Sequence, residues 1–488
     1  MMIRPSLEEV RAYAAQGEYR RVPVSTEILS DLYTPMQVLR KLKNVSDHCY
    51  LLESAEAQEK WGRYTFLGFD PTMEITCLDG HMKVGALSFD TKDPGATIRQ
   101  ILEEYRSPRL PFLPSFAGGL VGYFSYDYLK YAEPSLRLDA EDTEHFKDVD
   151  LMLFDRVIAF DNLKQKIILI VSIDLAEADS AYRKAERELE NLIRLIRDGA
   201  EKEEPAGTLR SEFRPLFDES QYCAMIERAK HHIHEGDIFQ IVLSNRLEAD
   251  YEGSLLNCYR MLRTLNPSPY MFYFSGTDVE VAGASPETLV KLEDGVLHTF
   301  PLAGTRPRGK TAAEDAALEA ELLQDEKELA EHNMLVDLGR NDIGKIAKFG
   351  TVEVERYHEV LHFSHVMHIG STVRGEIRPD LDALNAVDSI LPAGTLSGAP
   401  KIRACQLIND LENNKRGIYG GAIGYIDFSG NLDTCIAIRI AYKKNGKVFI
   451  RSGAGIVADS VPEKEYQECI NKAKAVVTAL EEANDFTD

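Results

Sequence analysis

The chain has 488 residues, 44% hydrophobic and 28% charged, which is the composition of an ordinary globular protein with one large domain or two. Its formal net charge of −23 argues against nucleic acid as a partner, because phosphate binding needs a basic surface. An anionic substrate would need a local cation, either a metal ion or well-placed arginines and lysines.

The cysteine pattern and the apolar runs indicate the cellular compartment of the protein. The seven cysteines contain no C-x-x-C pair and their number is odd, which is typical of a reduced, cytoplasmic protein. Residues 1–21 are charged throughout and have no apolar core, so we expect no signal peptide. The longest apolar run, near Lys166–Ile173, has the length of a strand, so we expect no membrane association.

The first part of the chain predicts strands followed by a helix and a linker. Segments rich in β-branched and aromatic residues predict strands at His48–Ser54, Arg63–Phe69 and Asp150–Phe160. A helical pattern covers Ala181–Ile196, and the polar stretch Arg197–Pro215, which contains Pro and Gly, is interpreted as a linker. We therefore divide the chain into an N-terminal region (1–197), a linker (198–215) and a C-terminal region (216–488).

Beyond the linker, Glu219–Glu235 predicts a helix. The predicted strands there are Phe239–Tyr251, Tyr270–Gly276, Thr434–Lys444 and Lys447–Gly455. Strand pairs and long helices occur in blocks rather than in βαβ alternation, which predicts an α+β fold of large antiparallel β-sheets packed together with helices on the outside. Two similar segments, GGLVGYF (Gly118–Phe124) and GGAIGYI (Gly420–Ile426), do not recur at a fixed period and so do not indicate a tandem repeat.

Two predicted helices share an E-x-x-E pattern. Glu328 and Glu331 lie about one turn apart in DEKELAEH, and Glu465 and Glu468 repeat the spacing near the C-terminus. A hard cation such as Mg²⁺ takes one or two carboxylates, so one glutamate from each helix would suffice. The alternative is a solvated acidic face, since 79 acidic residues produce such pairs by chance.

Other residues could hold an anion or move a proton. Gly453 and Gly455 would let backbone N–H groups approach an anion, although a β-bulge explains them equally well. Arg439 lies within a predicted strand, where an arginine needs either a structural salt bridge or a substrate carboxylate. His368 could be an acid or base, or an ordinary core histidine.

Several long segments occur in the order typical of chorismate-utilising enzymes: PLAGTRPRG, DEKELAEHNMLVDLGRND, HVMHIGSTVRGEI, LPAGTLSGAPKIRACQLI, YGGAIGYI, DTCIAIRIA and SGAGIVADSVPEKEYQECINKA. The chain resembles this family over essentially its whole length, and within it the anthranilate synthase component I branch. The resemblance implies a lyase that converts chorismate and ammonia to anthranilate and pyruvate with Mg²⁺, in the first committed step of tryptophan biosynthesis.

The resemblance also implies an active site. Mg²⁺ would be bound by Glu331 and Glu468, with Glu328 and Glu465 supporting through water. The residues expected to hold chorismate are Gly304, Thr305, Tyr419, Arg439, Gly453, Ala454, Gly455 and Lys472. The residues expected to act near the reacting ring are His368, which would take or steer a ring proton, Thr395 and Gln240.

Two positions distinguish branches of the family. Aminodeoxychorismate synthase component I, of the folate branch, commonly has a nucleophilic lysine where this chain has Ala303, so direct attack by ammonia is implied. The water-using isochorismate and salicylate synthases carry a lysine base at the position of Gln240. The folate-branch enzyme remains the alternative, since one residue does not exclude it. A non-catalytic tryptophan-binding protein is disfavoured because the expected ligands are present.

The resemblance also implies partners and regulation. No cysteine has the glycine-flanked setting of a glutaminase nucleophile, so we expect a separate glutamine amidotransferase subunit (component II), in a heterotetramer, to supply ammonia. In the family, LLES and PSPYM line a tryptophan pocket, which implies feedback inhibition by L-tryptophan. The residues concerned are Ser54, Pro269, Tyr270 and Met271. Alternatively, the first segment merely ends a strand and the second is a turn.

Overall fold

The structure is a computed structural model that describes residues 1–55, 62–362 and 366–485. Its helices are α1 (Leu7–Gln16), α2 (Pro35–Lys43), α3 (Pro94–Glu104), α4 (Leu129–Ala132), α5 (Ala178–Asp198), α6 (Glu219–His234), α7 (Leu256–Leu265), α8 (Ala312–Leu322), α9 (Glu326–Gly344), α10 (Ala383–Ile390), α11 (Lys401–Glu412) and α12 (Pro462–Glu481). None of the helices in the described part of the chain is long and apolar enough to span a membrane.

The strands of the first half are β1 (Arg21–Leu29), β2 (Cys49–Glu53), β3 (Tyr64–Phe69), β4 (Met73–Leu78), β5 (His81–Val84), β6 (Leu87–Asp90), β7 (Gly119–Phe124), β8 (Val149–Phe154), β9 (Arg156–Asp161), β10 (Lys166–Asp174), β11 (Thr208–Leu209) and β12 (Arg214–Pro215). Those of the second half are β13 (Gln240–Glu252), β14 (Tyr270–Ser275), β15 (Glu280–Ser285), β16 (Thr288–Glu293), β17 (Val296–Thr299), β18 (Leu302–Pro307), β19 (Glu353–His362), β20 (Val366–Glu376), β21 (Gly398–Ala399), β22 (Ala422–Asp427), β23 (Leu432–Ile436), β24 (Ile440–Lys444) and β25 (Lys447–Ile456).

The strands form two large sheets. Sheet I has 13 strands in the order β1-β10-β9-β3-β2-β14-β15-β24-β25-β13-β11, with β12 and β21 also paired to β13. Sheet II has 12 strands in the order β18-β20-β17-β16-β23-β22-β7-β8-β4-β5-β6, with β19 paired to β20. Neighbouring strands in both sheets run antiparallel, as between β13 and β25 or β7 and β22. The predicted α+β class is therefore confirmed.

The core lies between the inner faces of the two sheets. Leu67 and Phe272 of sheet I share one buried cluster with Val121 and Met152 of sheet II. Helices cover the outside: α5 packs on β10 through buried apolar residues at helical spacing. Each sheet contains strands from before and after the predicted linker. The linker itself contains the short strands β11 and β12, which pair with β13.

Both sheets have a mirrored strand order about a central pair. In sheet II the similar segments GGLVGYF and GGAIGYI are β7 and β22, which pair with Gly122 directly opposite Gly424. In sheet I the central pair is β2 and β14, with Leu51 opposite Tyr273. Counting outward relates β8 to β23, β3 to β15 and β9 to β24. The chain therefore contains two similar halves about an approximate twofold axis, which the sequence shows only as a short echo.

Two segments that were predicted as single strands change sheets midway. The predicted strand Asp150–Phe160 consists of β8 in sheet II and β9 in sheet I, separated by Asp155. The predicted strand Thr434–Lys444 consists of β23 and β24, separated by residues 437–439. Arg439 therefore lies at a crossover rather than inside a strand, with a left-handed φ of +54°. The apolar pattern conceals the break because residues on both sides face the same interior.

A buried ion cluster joins the end of α11 to sheet I. The Glu412 carboxylate binds Arg416 at 2.6 Å and Arg451 at 2.8 Å, with all three side chains at most 1% exposed. Glu412 also accepts the Ser244 N–H of β13 at 2.8 Å. Burial alone would raise the pKa of Glu412, but the two guanidinium groups hold it below its ordinary value. All three groups are therefore charged in the folded protein.

Replacing Glu412→Gln is expected to lower the free energy of unfolding by about 3–5 kcal/mol, because it leaves two buried guanidinium groups without a counter-charge. Urea unfolding measures the difference. Glu252→Gln is the control, since its pair with Arg210 is largely exposed and should contribute less than about 1 kcal/mol. Equal effects of the two substitutions would contradict the structural role of the cluster.

Candidate active site

Two crossovers between the sheets lie side by side and bring a carboxyl and an arginine together. Pro286 and Glu287 connect β15 to β16, and residues 437–439 connect β23 to β24. The two segments bond to each other: Ile436 donates its N–H to the Glu287 carbonyl at 2.9 Å, and the Ser285 hydroxyl donates to the Ile436 carbonyl at 2.7 Å. Side chains at these positions point into one site.

Glu287 carries a carboxyl whose proton affinity suits proton transfer. Its Oε1 accepts the hydroxyl of Thr395 at 2.9 Å. Burial raises the pKa of Glu287 to about 7, although Thr395, Arg439 and Lys472 each act to lower it. The carboxyl is therefore divided between its protonated and ionised forms at neutral pH, and it can give up or accept a proton.

A cleft reaches Glu287 and Thr395 from solvent. Its empty space is about 430 Å³, including the open mouth. The apolar residues that line it include Leu289, Pro301, Leu335, Leu338, Ile390, Ala393 and Ile436. Glu287 and Thr395 thus line this mostly apolar cleft, whereas His368, Arg439 and Tyr419 are not among the described residues that line it.

The positive charge of Arg439 is not neutralised by an ion pair within the described residues. Its carbonyl accepts the Ala284 N–H at 3.2 Å, which fixes the backbone. Within the described residues its guanidinium makes no hydrogen bond or ion pair, and Glu287 is the acidic group that acts on it. Burial lowers the pKa of Arg439, so the cation is held partly out of water. Such a group is suited to bind a carboxylate.

His368 lies on β20 and faces the glycine turn of β18. Its Nδ1 is 3.0 Å from the Gly304 carbonyl and 3.1 Å from the Thr305 hydroxyl. A carbonyl only accepts, so the imidazole N–H is on Nδ1 and Nε2 is the basic nitrogen. Burial and the charge of Arg439 lower the pKa of His368, while the Gly304 bond opposes them. The ring is therefore neutral and can act as a base.

The far wall is formed by β25 and the strand that pairs with it. Tyr419 is buried, and its hydroxyl lies 3.0 Å from the point where a Cβ on Gly453 would stand. Gln240 Nε2 lies 3.0 Å from the corresponding point at Gly455. β25 pairs with β13 along its length, but it pairs with β24 only from Lys447 to Phe449. Beyond Phe449, the alternate backbone N–H and C=O groups of β25 that face away from β13 therefore have no partner in β24. A Cβ at Gly453 or Gly455 would crowd Tyr419 or Gln240, so glycine leaves room beside these backbone groups.

The acidic ends of α9 and α12 face each other. Desolvation and the neighbouring carboxylates of Glu328 and Glu468 raise the pKa of Glu331. Lys472 of α12 forms an ion pair with Glu468 at 2.7 Å and donates to the Gly453 carbonyl at 3.2 Å. Glu328 lies against β18, with Oε2 3.3 Å from the position of a Cβ on Gly304. The carboxylates of the two E-x-x-E pairs are therefore close enough to interact electrostatically, while Glu331 and Glu468 remain exposed to solvent.

This arrangement fits a hard cation only in part. Within the described residues no group of three or more His, Cys, Asp or Glu side chains is close enough to hold a metal ion. Mg²⁺, however, needs only one or two carboxylates when substrate oxygens and water complete its shell. The mutually repelling carboxylates of Glu331 and Glu468 supply that set, so these residues fit Mg²⁺ bound together with a substrate.

The expected site residues fall into two groups. One group surrounds the crossovers: Gln240, Gly304, Thr305, Glu328, Glu331, His368, Thr395, Tyr419, Arg439, Gly453, Ala454, Gly455, Glu465, Glu468 and Lys472. The other is the expected tryptophan set, which lies at the central pair of sheet I: Ser54, Pro269, Tyr270 and Met271. There Met271 pairs with Glu53, and the Ala55 N–H donates to the Ser268 carbonyl at 3.0 Å.

Glu287 is a site residue that the sequence analysis missed. It follows β15 in ASPET, a sequence typical of an ordinary strand end. Nothing in the local pattern distinguishes it from the other acidic residues, and only the crossover places it beside Arg439.

Comparisons with known proteins show the family of the chain. A model of the family described as chorismate binding enzyme matches residues 47–478. The chain belongs to this family. Two relatives of this chorismate binding enzyme are named anthranilate synthase component 1: that of Acetivibrio thermocellus is 44% identical, covering 99% of this chain and 100% of its own, and that of Aquifex aeolicus (strain VF5) is 45% identical, covering 99% of each.

Solved structures give the same result for the fold. The crystal structure of anthranilate synthase component I from Streptococcus pneumoniae TIGR4 superposes with a TM-score of 0.77 at 36% identity, covering 92% of this chain and 98% of that one. MenF, the menaquinone-specific isochorismate synthase from Escherichia coli, superposes with a TM-score of 0.69 at 21% identity, covering 97% and 98%. The latter likeness concerns the fold alone.

The raised pKa of Glu287 predicts a pH-dependent cost in stability. A folded-state pKa of about 7, above the ordinary 4.5, means that the protein loses stability as the pH rises from about 4.5 to about 7 and the buried carboxyl must ionise. Glutamine does not ionise. Glu287→Gln is therefore expected to gain about 1–3 kcal/mol over the wild type between pH 4.5 and pH 8.

Urea unfolding of both proteins at the two pH values measures this gain. The exposed substitution Glu252→Gln should show no such pH-dependent difference. A constant difference between Glu287→Gln and the wild type across the range would show that Glu287 ionises normally.

Proposed function

We propose that this chain is the large subunit of an anthranilate synthase and converts chorismate and ammonia to anthranilate and pyruvate. The observation that carries the proposal is the juxtaposition, at two neighbouring crossovers, of the uncompensated guanidinium of Arg439 and the titrating carboxyl of Glu287. Full-length relatives of 44% and 45% identity are named anthranilate synthase component 1, which supports the same reaction.

Substrate binding follows from the charges. Chorismate has two carboxylates, and a chain with a net charge of −23 can hold them only at local cations. Arg439, with the Tyr419 hydroxyl and the backbone edge at Gly453–Gly455 that β24 leaves unpaired, would hold one carboxylate. The other would face Glu331 and Glu468. Glu331 and Glu468 would hold Mg²⁺, which when bound would supply positive charge to neutralise a substrate carboxylate and favour departure of the leaving group.

The first chemical stage is the addition of ammonia at C2 of the ring with loss of the C4 hydroxyl. The N–C2 bond forms as the ring double bonds shift and the C4–O bond breaks. A hydroxide leaving group needs a proton, and protonated Glu287, oriented by Thr395, is the acid at hand. The ammonia nitrogen later loses its extra proton to solvent.

The second stage removes the side chain and makes the ring aromatic. A base takes the proton from C2, its electron pair forms the ring double bond, and the C3–O bond breaks to release enolpyruvate, which takes up a proton to become pyruvate. His368 is neutral with Nε2 as its basic nitrogen, so we assign it the C2 proton. Gly304 and Thr305 hold the ring in orientation.

Two side chains agree with ammonia as the nucleophile. Ala303 on β18 has no group that could attack the ring, so the folate-branch alternative, with its covalent lysine, is not favoured. Gln240 at the start of β13 is neutral and cannot deprotonate water. Ammonia would come from a glutamine amidotransferase subunit, component II, in a heterotetramer. All seven cysteines are free, which suits the reduced cytoplasmic setting proposed for the pair.

Tryptophan is proposed to bind at the central pair of sheet I, against Ser54, Pro269, Tyr270 and Met271. A hydrogen-bond route leads from there to the active site. The Tyr270 hydroxyl donates to Asp433 Oδ1 at 2.8 Å and lies 3.0 Å from the hydroxyl of Thr288, the residue after Glu287. Occupation of the first site therefore has a direct structural link to the second, which supports feedback inhibition.

Turnover tests the reaction directly. The purified chain, given chorismate, Mg²⁺ and an ammonium salt, is expected to produce anthranilate fluorescence and an equal amount of pyruvate, and to lose both on chelation. Glu331→Gln should lower kcat/KM by at least about 100-fold, since it removes a metal ligand. Glu326→Gln, on the exposed first turn of the same helix, is the control. Chorismate consumed without pyruvate would indicate the folate branch, and no consumption would refute the proposal.

Tryptophan binding is tested separately by calorimetry. Met271→Ala is expected to weaken L-tryptophan binding by about 10-fold or more, because it removes a buried apolar contact. Met261→Ala is the matched control, since both methionines are 6% exposed but Met261 lies on α7. Equal affinities in the two variants would place the inhibitor elsewhere.

A further inference from the structure

His332 is a fully buried histidine one residue beyond the proposed metal ligand Glu331. It is 0% exposed, and its Nε2 lies 2.7 Å from the hydroxyl of Ser371. Ser371 belongs to β20, the strand that carries His368. One side-chain hydrogen bond therefore joins the helix of the acidic residues to the strand of the proposed base.

Strand β19 completes this contact from the other side. The pairing register of β19 shifts near His358, whose φ is +56°, and the His358 N–H donates to the Ser371 hydroxyl at 3.1 Å. The next helix residue, Asn333, receives the Tyr357 hydroxyl at 2.5 Å and lies 2.8 Å from His358 Nε2. Left-handed backbone is unfavourable for a histidine, so local strain is accepted to make these bonds.

Stability does not explain the choice of histidine. Among the described residues the buried Nδ1 of His332 has no hydrogen-bond partner, which is unfavourable compared with an apolar side chain of the same shape. The buried residues of α9 are His332, Leu335, Val336, Asp342 and Ile343, so His332 is the first of them along the helix. The acidic residues Glu328 and Glu331 lie in the turn of α9 directly before this buried residue.

We propose that His332 is a positioning residue, whose bond to Ser371 fixes the rotation of α9 against β20 so that Glu328 and Glu331 face α12. The inference rests on the proposed function, because it assigns a role toward the metal that those carboxylates would hold. A ligand helix that rotates freely loses the alignment of its carboxylates with the opposite helix. Residues that orient metal ligands in this way typically change metal affinity by about 10- to 100-fold when replaced.

The test is a calorimetric titration of Mg²⁺ into protein that holds chorismate, with no ammonia supplied so that no turnover occurs. His332→Leu is expected to raise the Kd for Mg²⁺ by about 10-fold or more, because it removes the bond to Ser371. His332→Gln keeps an N–H near the position of Nε2 and should restore the Kd to within about threefold.

His298→Leu is the matched control. His298 on β17 is another histidine whose buried Nδ1 has no hydrogen-bond partner in the described residues, but it lies on neither α9 nor β20, which the bond of His332 joins. Its replacement should lower the Tm without changing the Kd for Mg²⁺. Ser371→Ala removes the same bond from the strand side and should reproduce the effect of His332→Leu, even where that variant folds poorly.

The proposal is overturned if His332→Leu and Ser371→Ala bind Mg²⁺ as the wild type does and differ only in Tm. It is also overturned if His332→Gln behaves as His332→Leu does, since the hydrogen bond would then not be the cause. Failure of the proposed function is a different observation: the wild type would consume no chorismate when given Mg²⁺ and ammonium.

Discussion

The buried ion cluster of Glu412, Arg416 and Arg451 holds together the wall on which the active site is built. It joins α11 to β13 and β25, where Ser244 lies opposite Gly453. The Arg416 guanidinium also lies 5.7 Å from the centre of the Tyr419 ring. A buried ion pair adds little net stability over apolar packing. The contribution of this cluster is to fix the relative positions of α11, β13 and β25. The Tyr419 hydroxyl and the glycine strand are therefore held in one arrangement before any substrate arrives.

The active site itself has the opposite character, because its charges are left unbalanced. Arg439 has no counter-ion among the described residues, Glu287 resists ionisation, and the carboxylates of Glu331 and Glu468 repel one another. In the proposed function a substrate carboxylate would neutralise Arg439, and a divalent cation would neutralise the pair of Glu331 and Glu468. The folded protein thus carries an electrostatic cost that ligand binding relieves, as expected where function takes precedence over stability.

Much of this fold follows from local sequence patterns. The parts that the sequence did not predict all have the same cause. The predicted helix at Glu219–Glu235 is α6, and the structure shows a local cause, a capping box of Asp218 and Gln221 at its start. The apolar run near Lys166–Ile173, which has the length of a strand, is β10. The crossovers were missed because β8–β9 and β23–β24 remain apolar on both sides of the break. No short-range pattern records a change of sheet, since only long-range pairing determines it.

The same cause explains which site residues the sequence revealed. The glutamate pairs of α9 and α12 were visible because helical spacing is local, and Arg439 because a charge interrupts an apolar run. Glu287 was invisible, since its neighbours come from a crossover far along the chain. The twofold relation was equally hidden: β7 and β22 share a short motif, but their pairing through Gly122 and Gly424 appears only in the folded sheet.

That relation provides an internal comparison for Arg439. Gly122 pairs with Leu151 and Gly424 with Thr434, and Arg156 and Arg439 lie the same number of residues beyond those partners. Both arginines therefore stand at equivalent crossovers.

Their partners differ. Arg156 donates to the Asp70 carboxylate at 2.9 Å and to its carbonyl at 2.8 Å. Gly68 and Gly283 occupy equivalent positions in β3 and β15, so the counterpart of Asp70 is Ser285, which has no charge. If the crossover required a neutralised arginine, both halves would supply the acid. In the second half the equivalent position holds Ser285, and the nearby Glu287 forms no ion pair with Arg439 among the described residues, which agrees with the carboxylate-binding role proposed for this arginine.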